Sequence, residues 1–297
     1  MSPDNDEYLA ANRALWDEWT GIHETSGFYD LEGFRRGGVR LRDFEIADVG
    51  PVEGKTLLHL QCHFGIDTLS WARLGARVTG ADFSARAVEL ATSLAAELGL
   101  DARFVCSNLY DLPSVLDGTF DVVYTSRGVL GWLPDIEGWA RVAAGFVKPG
   151  GVFYIHELHP VAQVWDEENV APGELRLRHP YFTHARPLAF DVQGSYADRD
   201  ADVSADKEYG WNHSVAEIVT SLSSAGLRID LLREFPYTEW EFPFLEERRV
   251  TPDGETEAKS TWWLPEDAGG ELLRELTATW NVPSWDEIIS GLYRPDR

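Results

Sequence analysis

The sequence predicts an α/β fold, doubly wound around a mostly parallel sheet, and three features lead to this prediction. Short apolar strands alternate with helical segments of about ten to fifteen residues between residues 55 and 155. Residues 57–82 have the pattern strand, tight loop, helix, strand, and the second strand ends on a carboxylate, Asp82. Turn residues such as Gly75 and Gly99 separate the elements. This alternation indicates parallel strands joined by right-handed crossovers.

Seven strands are predicted for the sheet. Five follow the regular alternation, at residues 57–60, 77–81, 102–106, 120–125 and 152–155. A sixth is predicted at residues 227–235, where apolar residues alternate, and a last one at residues 272–280. Ser84 and Gly99 bound the helix between the second and third strands, because Ser caps helix N-termini and Gly ends helices.

Residues 1–50 are predicted to form a helical lid. Tyr8, Asn12 and Trp16 recur at helical spacing, which predicts an amphipathic helix over residues 8–19 with these side chains on one face. That face either packs on the core or closes over a ligand. A second short helix is predicted at residues 41–49.

The alternation breaks after residue 158. Short antiparallel strands and loops fit residues 159–210 better than another strand–helix unit, so we expect an inserted substrate cap there. Ser214 and Glu217 have the spacing of a capping box and restart the core. The predicted domains are therefore a lid at 1–50, a core at 51–158 and 211–297, and a cap at 159–210.

The composition excludes several classes of protein. The chain has 50 Asp and Glu against 26 Lys and Arg, a net charge of −24, which argues against a nucleic-acid partner because that affinity depends on neutralising phosphates. Two cysteines, Cys62 and Cys106, are too few for a disulfide framework. The acidic N-terminus does not resemble a signal peptide, and no apolar run approaches the roughly 20 residues of a membrane span. We therefore expect a cytoplasmic protein with no membrane partner.

Aromatic residues are abundant outside the predicted nucleotide-binding unit. The chain has 12 Trp, 14 Phe and 10 Tyr, which cluster near both ends and beyond residue 153. They indicate a stacking pocket or an interface, and simple packing of the cap against the sheet explains most of them equally well.

The loop after the first strand discriminates between nucleotide ligands. A dinucleotide site requires Gly-x-Gly-x-x-Gly, because the pyrophosphate must approach the backbone closely. Residues 61–65 contain a single glycine, Gly65, so an NAD oxidoreductase is disfavoured. The loop still suits a thin, uncharged or zwitterionic chain, and Asp82 suits the hydroxyls of a ribose.

Four motifs occur in order along the predicted sheet. They are the loop at residues 60–65, Asp82 at 17 residues past Gly65, Asn108-Leu109 after the third strand, and Phe120-Asp121 completed by Lys148-Pro149-Gly150-Gly151. In this order they resemble the class I S-adenosylmethionine (SAM)-dependent methyltransferases over residues 55–155, and more loosely over 214–235. The resemblance implies a Rossmann-like fold. The loop is a divergent form of that family's Asp/Glu-x-Gly-x-Gly-x-Gly, since Gln61 and His63 stand where glycines are common.

A closer resemblance is to actinobacterial-type small-molecule methyltransferases, such as the N-methyltransferases of lincosamide pathways. The Leu-Gln-Cys-His-Phe-Gly loop, the long C-terminal cap and the aromatic N-terminal helix carry it. In such enzymes the N-terminal helix closes over the SAM site, which favours the lid role for Tyr8 and Trp16.

The resemblance implies SAM as cofactor, S-adenosylhomocysteine as product and no metal. The backbone of residues 61–65 would line the methionine moiety, Asp82 would accept from the ribose hydroxyls, and Asn108 would bond the adenine amine. Alternatively, Asp82 is a capping or surface acid and Asn108 a turn residue. The predicted cofactor-binding residues are Trp16, Tyr29, Leu60, Gln61, Cys62, His63, Gly65, Asp82, Phe83, Ser84, Asn108, Leu109 and Ser126.

Methyl transfer is a direct in-line displacement that depends on alignment and exclusion of water. An amine acceptor needs only to be unprotonated, whereas a hydroxyl acceptor needs a base, for which His is the usual residue. Histidines follow the fifth strand at the edge where open α/β sheets bind ligands, although a structural role is also common there. The predicted catalytic residues are His156, His159, Ser126 and Arg127, and the predicted substrate contacts are Tyr8, Trp16, Arg127 and His213.

The function predicted from the sequence is SAM-dependent transfer of a methyl group to a nitrogen of a small molecule in secondary metabolism. One alternative is a small-molecule O-methyltransferase. Another is a non-catalytic SAM-fold binding or assembly protein whose aromatic cap is an interface. A homo-oligomer is compatible with all three.

Overall fold

The computed structural model describes residues 3–166, 175–184, 186–238, 241–242, 245–251 and 259–263. The chain divides into two compact units. The first contains residues 1–164, 179–234 and 251–258, and the second contains residues 165–178, 235–250 and 259–297. No helix in the described ranges is long and apolar enough to cross a membrane.

The first unit is built around a parallel sheet, as predicted. Its strands are β1 (Thr56–Leu60), β2 (Arg77–Asp82), β3 (Ala102–Cys106), β4 (Phe120–Ser126) and β5 (Val147–His156), in the order β3-β2-β1-β4-β5. The strand order reverses between β1 and β4, which makes the sheet doubly wound and opens a crevice at their carboxyl ends. The Rossmann-like α/β fold is confirmed.

The described part of the sheet has five strands. Residues 227–235, predicted as a sixth strand, form no strand, and Leu231 and Leu232 are 54% and 60% exposed. Alternating apolar residues are compatible with a strand, but a strand also requires a neighbour for its ladder of hydrogen bonds. The strand predicted at residues 272–280 lies outside the described residues.

Helices cover both faces of the sheet. They are α4 (Ile66–Arg73), α5 (Ala85–Leu98), α6 (Ile136–Phe146) and α7 (Val215–Ser224). The predicted caps are present, because Ser84 Oγ accepts from the Ala87 N–H at 3.0 Å and Ser214 Oγ from the Glu217 N–H at 3.2 Å. Successive side chains of β1 point to opposite faces, so Leu57 and Leu58 belong to different apolar clusters.

Three helices precede the sheet: α1 (Pro3–Thr25), α2 (Leu31–Arg35) and α3 (Asp43–Val49). The first is longer than the predicted 8–19, and α2 lies in a stretch for which no element was predicted. The insertion contains an antiparallel pair, β6 (Leu188–Asp191) and β7 (Lys207–Gly210), as expected for residues 159–210. In the second unit β8 (Tyr237–Thr238), β9 (Glu246–Val250) and β10 (Lys259–Trp263) form an antiparallel sheet in the order β8-β10-β9.

The helix α1 is fastened to the insertion by several side chains. The Asn12 amide donates to the Tyr209 carbonyl at 2.7 Å and accepts from the Tyr209 N–H at 2.9 Å, which extends the ladder of β7. The Trp19 indole donates to the Gly194 carbonyl at 2.9 Å. Lid and insertion are therefore held together by buried polar contacts.

Candidate cofactor and acceptor site

The loop after β1 has the backbone of a glycine-rich turn. Gln61, His63 and Gly65 have φ angles of 56°, 50° and 79°, in the left-handed region that favours glycine. Only Gly65 is a glycine, so Gln61 and His63 place side chains where a Gly-x-Gly loop has none. The loop thus keeps the tight backbone of a glycine-rich turn, and it adds the polar side chains of Gln61 and His63.

Asp82 lies at the end of β2 and is buried. Its carboxylate accepts from the His63 N–H at 2.7 Å and from the Ser84 N–H at 2.9 Å. Burial raises the pKa of Asp82 to about 6, and the backbone N–H bonds from Ser84, His63 and Phe83 oppose that rise. A carboxylate has about four acceptor positions, and these three bonds leave one for a ligand hydroxyl. Asp82 is therefore not a surface acid.

Asn108 caps the 3₁₀ turn Leu109–Ser114, and its Oδ1 accepts from the Tyr110 N–H at 3.0 Å. The Asn108 oxygen thus has the role of a turn residue. The NH₂ group of the same amide is a hydrogen-bond donor. Leu109 is buried, and Phe83 is half-buried. The predicted residues at the ends of β2 and β3 lie on neighbouring strands of the sheet.

The lid helix lies over the cofactor loop. The rings of Trp16 and His63 meet edge to face with centroids 5.1 Å apart, and Tyr29 lies 5.6 Å from His63. Asp17 accepts from the Ser84 hydroxyl at 2.6 Å, so α1 is bonded directly to the start of α5. Tyr8 lies elsewhere on the helix, against Tyr209 at 4.7 Å. The predicted lid face is thus divided. Trp16 contacts the loop after β1, and Tyr8 packs against the insertion.

A buried pair of histidines joins the lid to the loop. His23 Nδ1 is 2.9 Å from His63 Nε2, and His23 Nε2 is 2.6 Å from Ser195 Oγ in the insertion. Burial lowers the pKa of His23 to about 3, and burial together with His23 lowers the pKa of His63 well below its usual value. Both imidazoles are neutral at neutral pH. No local pattern indicated a role for His23, since its partners are distant in the chain.

The end of β4 carries a second group of polar side chains. The Ser126 hydroxyl donates to Asp67 Oδ2 at 3.1 Å and lies 3.3 Å from His59 Nε2. Asp67 occupies the first turn of α4, and burial raises its pKa against the opposing charge of Arg127. Burial lowers the pKa of His59 to about 3, so that ring is neutral. Asp67 and His59 were not among the predicted site residues.

Glu45 of α3 is the centre of a charged network beneath this group. Its carboxylate accepts from the Arg127 guanidinium at 2.7 Å, the Tyr124 hydroxyl at 2.6 Å and the Arg42 N–H at 2.7 Å, and lies 3.2 Å from His156 Nδ1. Burial opposes ionisation of Glu45, but Arg127, His156 and Tyr124 outweigh it and hold the pKa below its usual range. Arg127, predicted as a catalytic residue and substrate contact, is thus paired with a carboxylate of the protein.

The three predicted histidines differ in their surroundings. His159 is at the surface, with Nε2 2.5 Å from Glu234 and Nδ1 accepting from the Val161 N–H at 3.1 Å. His213 is buried, with Nε2 2.7 Å from the Leu133 carbonyl, and burial lowers its pKa. His156 alone of these three is bonded to a buried carboxylate. The catalytic and substrate roles of all three remain predictions.

Glu157 was not predicted and fixes the loop after β4. Its carboxylate accepts from the backbone N–H groups of Gly128, Val129 (2.8 Å), Leu130 (2.9 Å) and Leu158 (2.7 Å). Burial raises its pKa, and these four bonds oppose the rise. Backbone donors leave no mark in a sequence, so only the position of this acid directly after β5 pointed to it.

The residues around the cofactor loop fit a ligand that both donates and accepts hydrogen bonds. The buried atoms Trp16 Nε1, Gln61 Oε1 and His63 Nδ1 have no hydrogen-bond partner within the described ranges. The carboxylate of Asp82 lies beside them, on the N–H of His63. Within the described residues, no three His, Cys, Asp or Glu side chains are grouped to hold a metal ion.

Comparisons with known proteins agree with this geometry. The family described as a methyltransferase domain matches residues 58–155, which span β1 to β5. A ubiquinone biosynthesis O-methyltransferase of Escherichia coli O7:K1 is 31% identical over 167 residues, covering 54% of this chain and 69% of that protein. The corresponding protein of Caulobacter vibrioides is 36% identical over 109 residues, covering 37% and 43%. The chain thus spans between 43% and 69% of these relatives.

Among solved structures, a SAM-dependent methyltransferase of Clostridium acetobutylicum has a TM-score of 0.49 at 12% identity, covering 84% of this chain and 99% of that one. The chain belongs to the class I SAM-dependent methyltransferase family. Its cofactor is SAM.

Proposed function

We propose that the protein transfers a methyl group from SAM to a nitrogen of a small molecule. The observation that carries the nitrogen acceptor is Asp67, a partly exposed carboxylate bonded to Ser126 at the end of β4. Such a carboxylate attracts an amine and, because burial raises its pKa, can take the proton that an ammonium must lose before attack. No other base is then required.

The cofactor placement follows from the residues at the strand ends. SAM supplies an electrophilic methyl on a sulfonium. Asp82 would accept from the ribose hydroxyls, Phe83 would flank adenine, and the Asn108 amide would donate to a ring nitrogen because its oxygen is occupied by Tyr110. Trp16 and Tyr29 would exclude water from above the loop.

A hydroxyl acceptor is the second candidate, and two observations favour it. The relatives described above are named O-methyltransferases. His156 is also oriented by Glu45, and an Nδ1–H that donates to this carboxylate leaves Nε2 as a base. His156 would then remove the hydroxyl proton.

The proposal also covers the type of enzyme, the class of acceptor, the cellular location and the oligomeric state. The aromatic α1 and the insertion support a lincosamide N-methyltransferase-like enzyme of secondary metabolism. The net charge of −24 supports a small-molecule acceptor in the cytoplasm rather than a nucleic acid. A homo-oligomer is compatible with these features.

Calorimetric titration with S-adenosylhomocysteine tests the cofactor site, and absence of binding by the wild-type protein would contradict the function. Transfer of a deuterated methyl group to panels of amines and phenols, followed by mass spectrometry, identifies the acceptor atom. With an amine acceptor, Asp67→Asn is expected to lower the rate about 100-fold and His156→Gln to change it little. The reverse pattern would establish the hydroxyl alternative.

A further inference from the structure

Asp67 differs from the other acids of the site in how its carboxylate is bonded. Both oxygens of Glu45, Asp82 and Glu157 accept from groups of the protein. Asp67 has one hydrogen bond among the described residues, which its Oδ2 accepts from the Ser126 hydroxyl at 3.1 Å. Its Oδ1 is therefore the carboxylate oxygen left to accept from a ligand.

Ser126 belongs to a chain of hydrogen-bonded side chains that joins β4, β1 and α4. Its Oγ lies 3.3 Å from Nε2 of His59, which is on β1. Nδ1 of the same imidazole lies 2.8 Å from the hydroxyl of Thr68, the residue after Asp67 on α4. His59 and Thr68 are 2% and 0% exposed, so the polar atoms of the chain must satisfy one another.

The hydrogens of this chain of side chains have one consistent arrangement. An ionised carboxylate only accepts, so the Ser126 hydroxyl donates its single proton to Asp67. The Ser126 oxygen then accepts from His59, which places the proton of this neutral ring on Nε2. Nδ1 is left as an acceptor, and Thr68 donates to it. The Cys62 thiol also faces Thr68, but sulfur is a weak acceptor and the imidazole takes that proton.

We propose that the chain from Thr68 through His59 to Ser126 holds Asp67 so that its Oδ1 takes the proton of the acceptor ammonium, an inference that rests on the proposed function. The N–H bond of the ammonium breaks, its electron pair stays on nitrogen, and an O–H bond forms on Oδ1. Nitrogen then attacks the methyl of SAM, and the electrons of the broken carbon–sulfur bond stay on sulfur. Ser126 keeps its bond to Oδ2 throughout, because a protonated acid still accepts at its carbonyl oxygen.

Other ionisable groups also act on Asp67 from the elements packed around it. They are Arg40, Glu45, Arg127, Tyr29 and Tyr124. Arg127 Nη2 lies 4.0 Å from Asp67 Oδ2, beyond hydrogen-bond distance, and is bonded to Glu45 at 2.7 Å. Burial raises the pKa of Asp67, and Arg127 and the Ser126 hydroxyl oppose that rise. Removing the hydroxyl should therefore raise this pKa further.

The position of the His59 proton is measured without any ligand. Nitrogen-15 NMR of histidine-labelled protein distinguishes the two neutral tautomers of imidazole, and the signals missing from His59→Gln identify this residue. We expect the wild-type ring to carry its proton on Nε2, as it also should in Thr68→Ser, which keeps the hydroxyl. A wild-type His59 protonated on Nδ1 would overturn the inference while leaving the proposed function intact.

Ser126→Ala removes the bond to Asp67 itself. We expect kcat for an amine acceptor to fall about tenfold, with KM and the affinity for S-adenosylhomocysteine within about twofold of the wild type. The decline of kcat at acid pH should begin at a higher pH, because the carboxylate loses a donor that favours its charged form. An unchanged pH profile would overturn the inference. Methyl transfer to phenols but not to amines would instead overturn the proposed function, and the inference with it.

Two substitutions of His59 test whether it acts through Ser126. The amide nitrogen of His59→Gln reaches the position of Nε2 and keeps a donor to Ser126, whereas that of His59→Asn lies near Nδ1 and does not. His59→Asn is expected to lower kcat about threefold and to shift the pH profile in the same direction as Ser126→Ala, and His59→Gln to restore both. Equal losses in the two variants, without a shift of the pH profile, would show that His59 only supports the fold.

Discussion

The two ends of the site differ in whether their polar groups are already satisfied. At the acceptor end Arg127 and His156 both bond to the buried carboxylate of Glu45. At the cofactor end Trp16 and His63 present buried atoms without a partner among the described residues. Disrupting a satisfied network costs folding free energy, whereas removing an unsatisfied group costs affinity for the ligand that completes it. The acceptor end should therefore govern stability, and the cofactor end binding.

The largest effect on stability is expected for Glu45→Gln. It leaves the guanidinium of Arg127, which is 24% exposed, without its partner at 2.7 Å, and we expect a loss of about 3 kcal/mol in the free energy of unfolding, measured by urea denaturation. The pKa of Glu45 is lowered in the folded protein, so its contribution is present above its ordinary value of 4.5 and lost as the pH falls further. Glu32→Gln is the control, because Glu32 is 72% exposed in its pair with Arg35 and should cost under about 1 kcal/mol.

Asp82→Asn is expected to act mainly on the affinity for S-adenosylhomocysteine. We expect an approximately 100-fold loss of affinity for S-adenosylhomocysteine at pH 8, because the ribose hydroxyls lose a charged acceptor. Wild-type affinity should fall as the pH drops through about 6, the raised pKa of Asp82, and the variant should lack this dependence.

The stability of the ligand-free protein should depend on pH in the opposite direction from its affinity. Its pKa is raised from 3.8 to about 6, so the folded state binds the proton more tightly than the unfolded state. Stability should therefore fall as the pH rises from about 3.8 to about 6 and level off above it. Because both oxygens of Asp82 accept from backbone N–H groups, Asp82→Asn should also cost some stability at pH 8, and an unchanged affinity for S-adenosylhomocysteine would break the distinction between the two ends.

Local signals made much of the fold predictable. The helix at residues 85–98 and the strand at 102–106 have the predicted bounds, because Ser84 and Gly99 mark the helix ends within the sequence itself. The position of Asp82 at the end of the second strand was likewise predicted from the apolar run before it. The strand at 227–235 was wrong because pairing depends on a neighbour that the sequence does not specify.

The long-range parts of the site had no such signal. His23 and Ser195 are 172 residues apart, and Tyr124 and Glu45 are 79 apart. Each looks like an ordinary residue of its helix, strand or loop until the fold brings it to its partner. The left-handed conformation of His63 had one signal, its place in a loop where glycines are common, because glycine favours that conformation.

Glu157→Gln tests whether the loop after β4 contributes to stability, as the acceptor end is expected to, or to ligand affinity. Glu157→Gln removes the charge and replaces one carboxylate oxygen with a donor that faces backbone N–H groups. We expect a loss of about 2–3 kcal/mol in unfolding free energy and little change in affinity for S-adenosylhomocysteine. A loss of affinity with unchanged stability would instead place this loop at the cofactor end.

The smallest expected effect concerns Ser84, which contributes both to folding, as a helix cap, and to the contact with the lid. Its hydroxyl caps α5 and also donates to Asp17 of the lid, whereas the Ser214 hydroxyl is a matched cap on α7. Ser214→Ala should cost about 1 kcal/mol, the usual value for an N-cap, and Ser84→Ala about 2 kcal/mol because a bond to a carboxylate is lost as well. If the lid helps to complete the cofactor site, only Ser84→Ala should also weaken S-adenosylhomocysteine binding. Equal effects of the two substitutions on binding would mean that the lid contact at Ser84 serves folding alone.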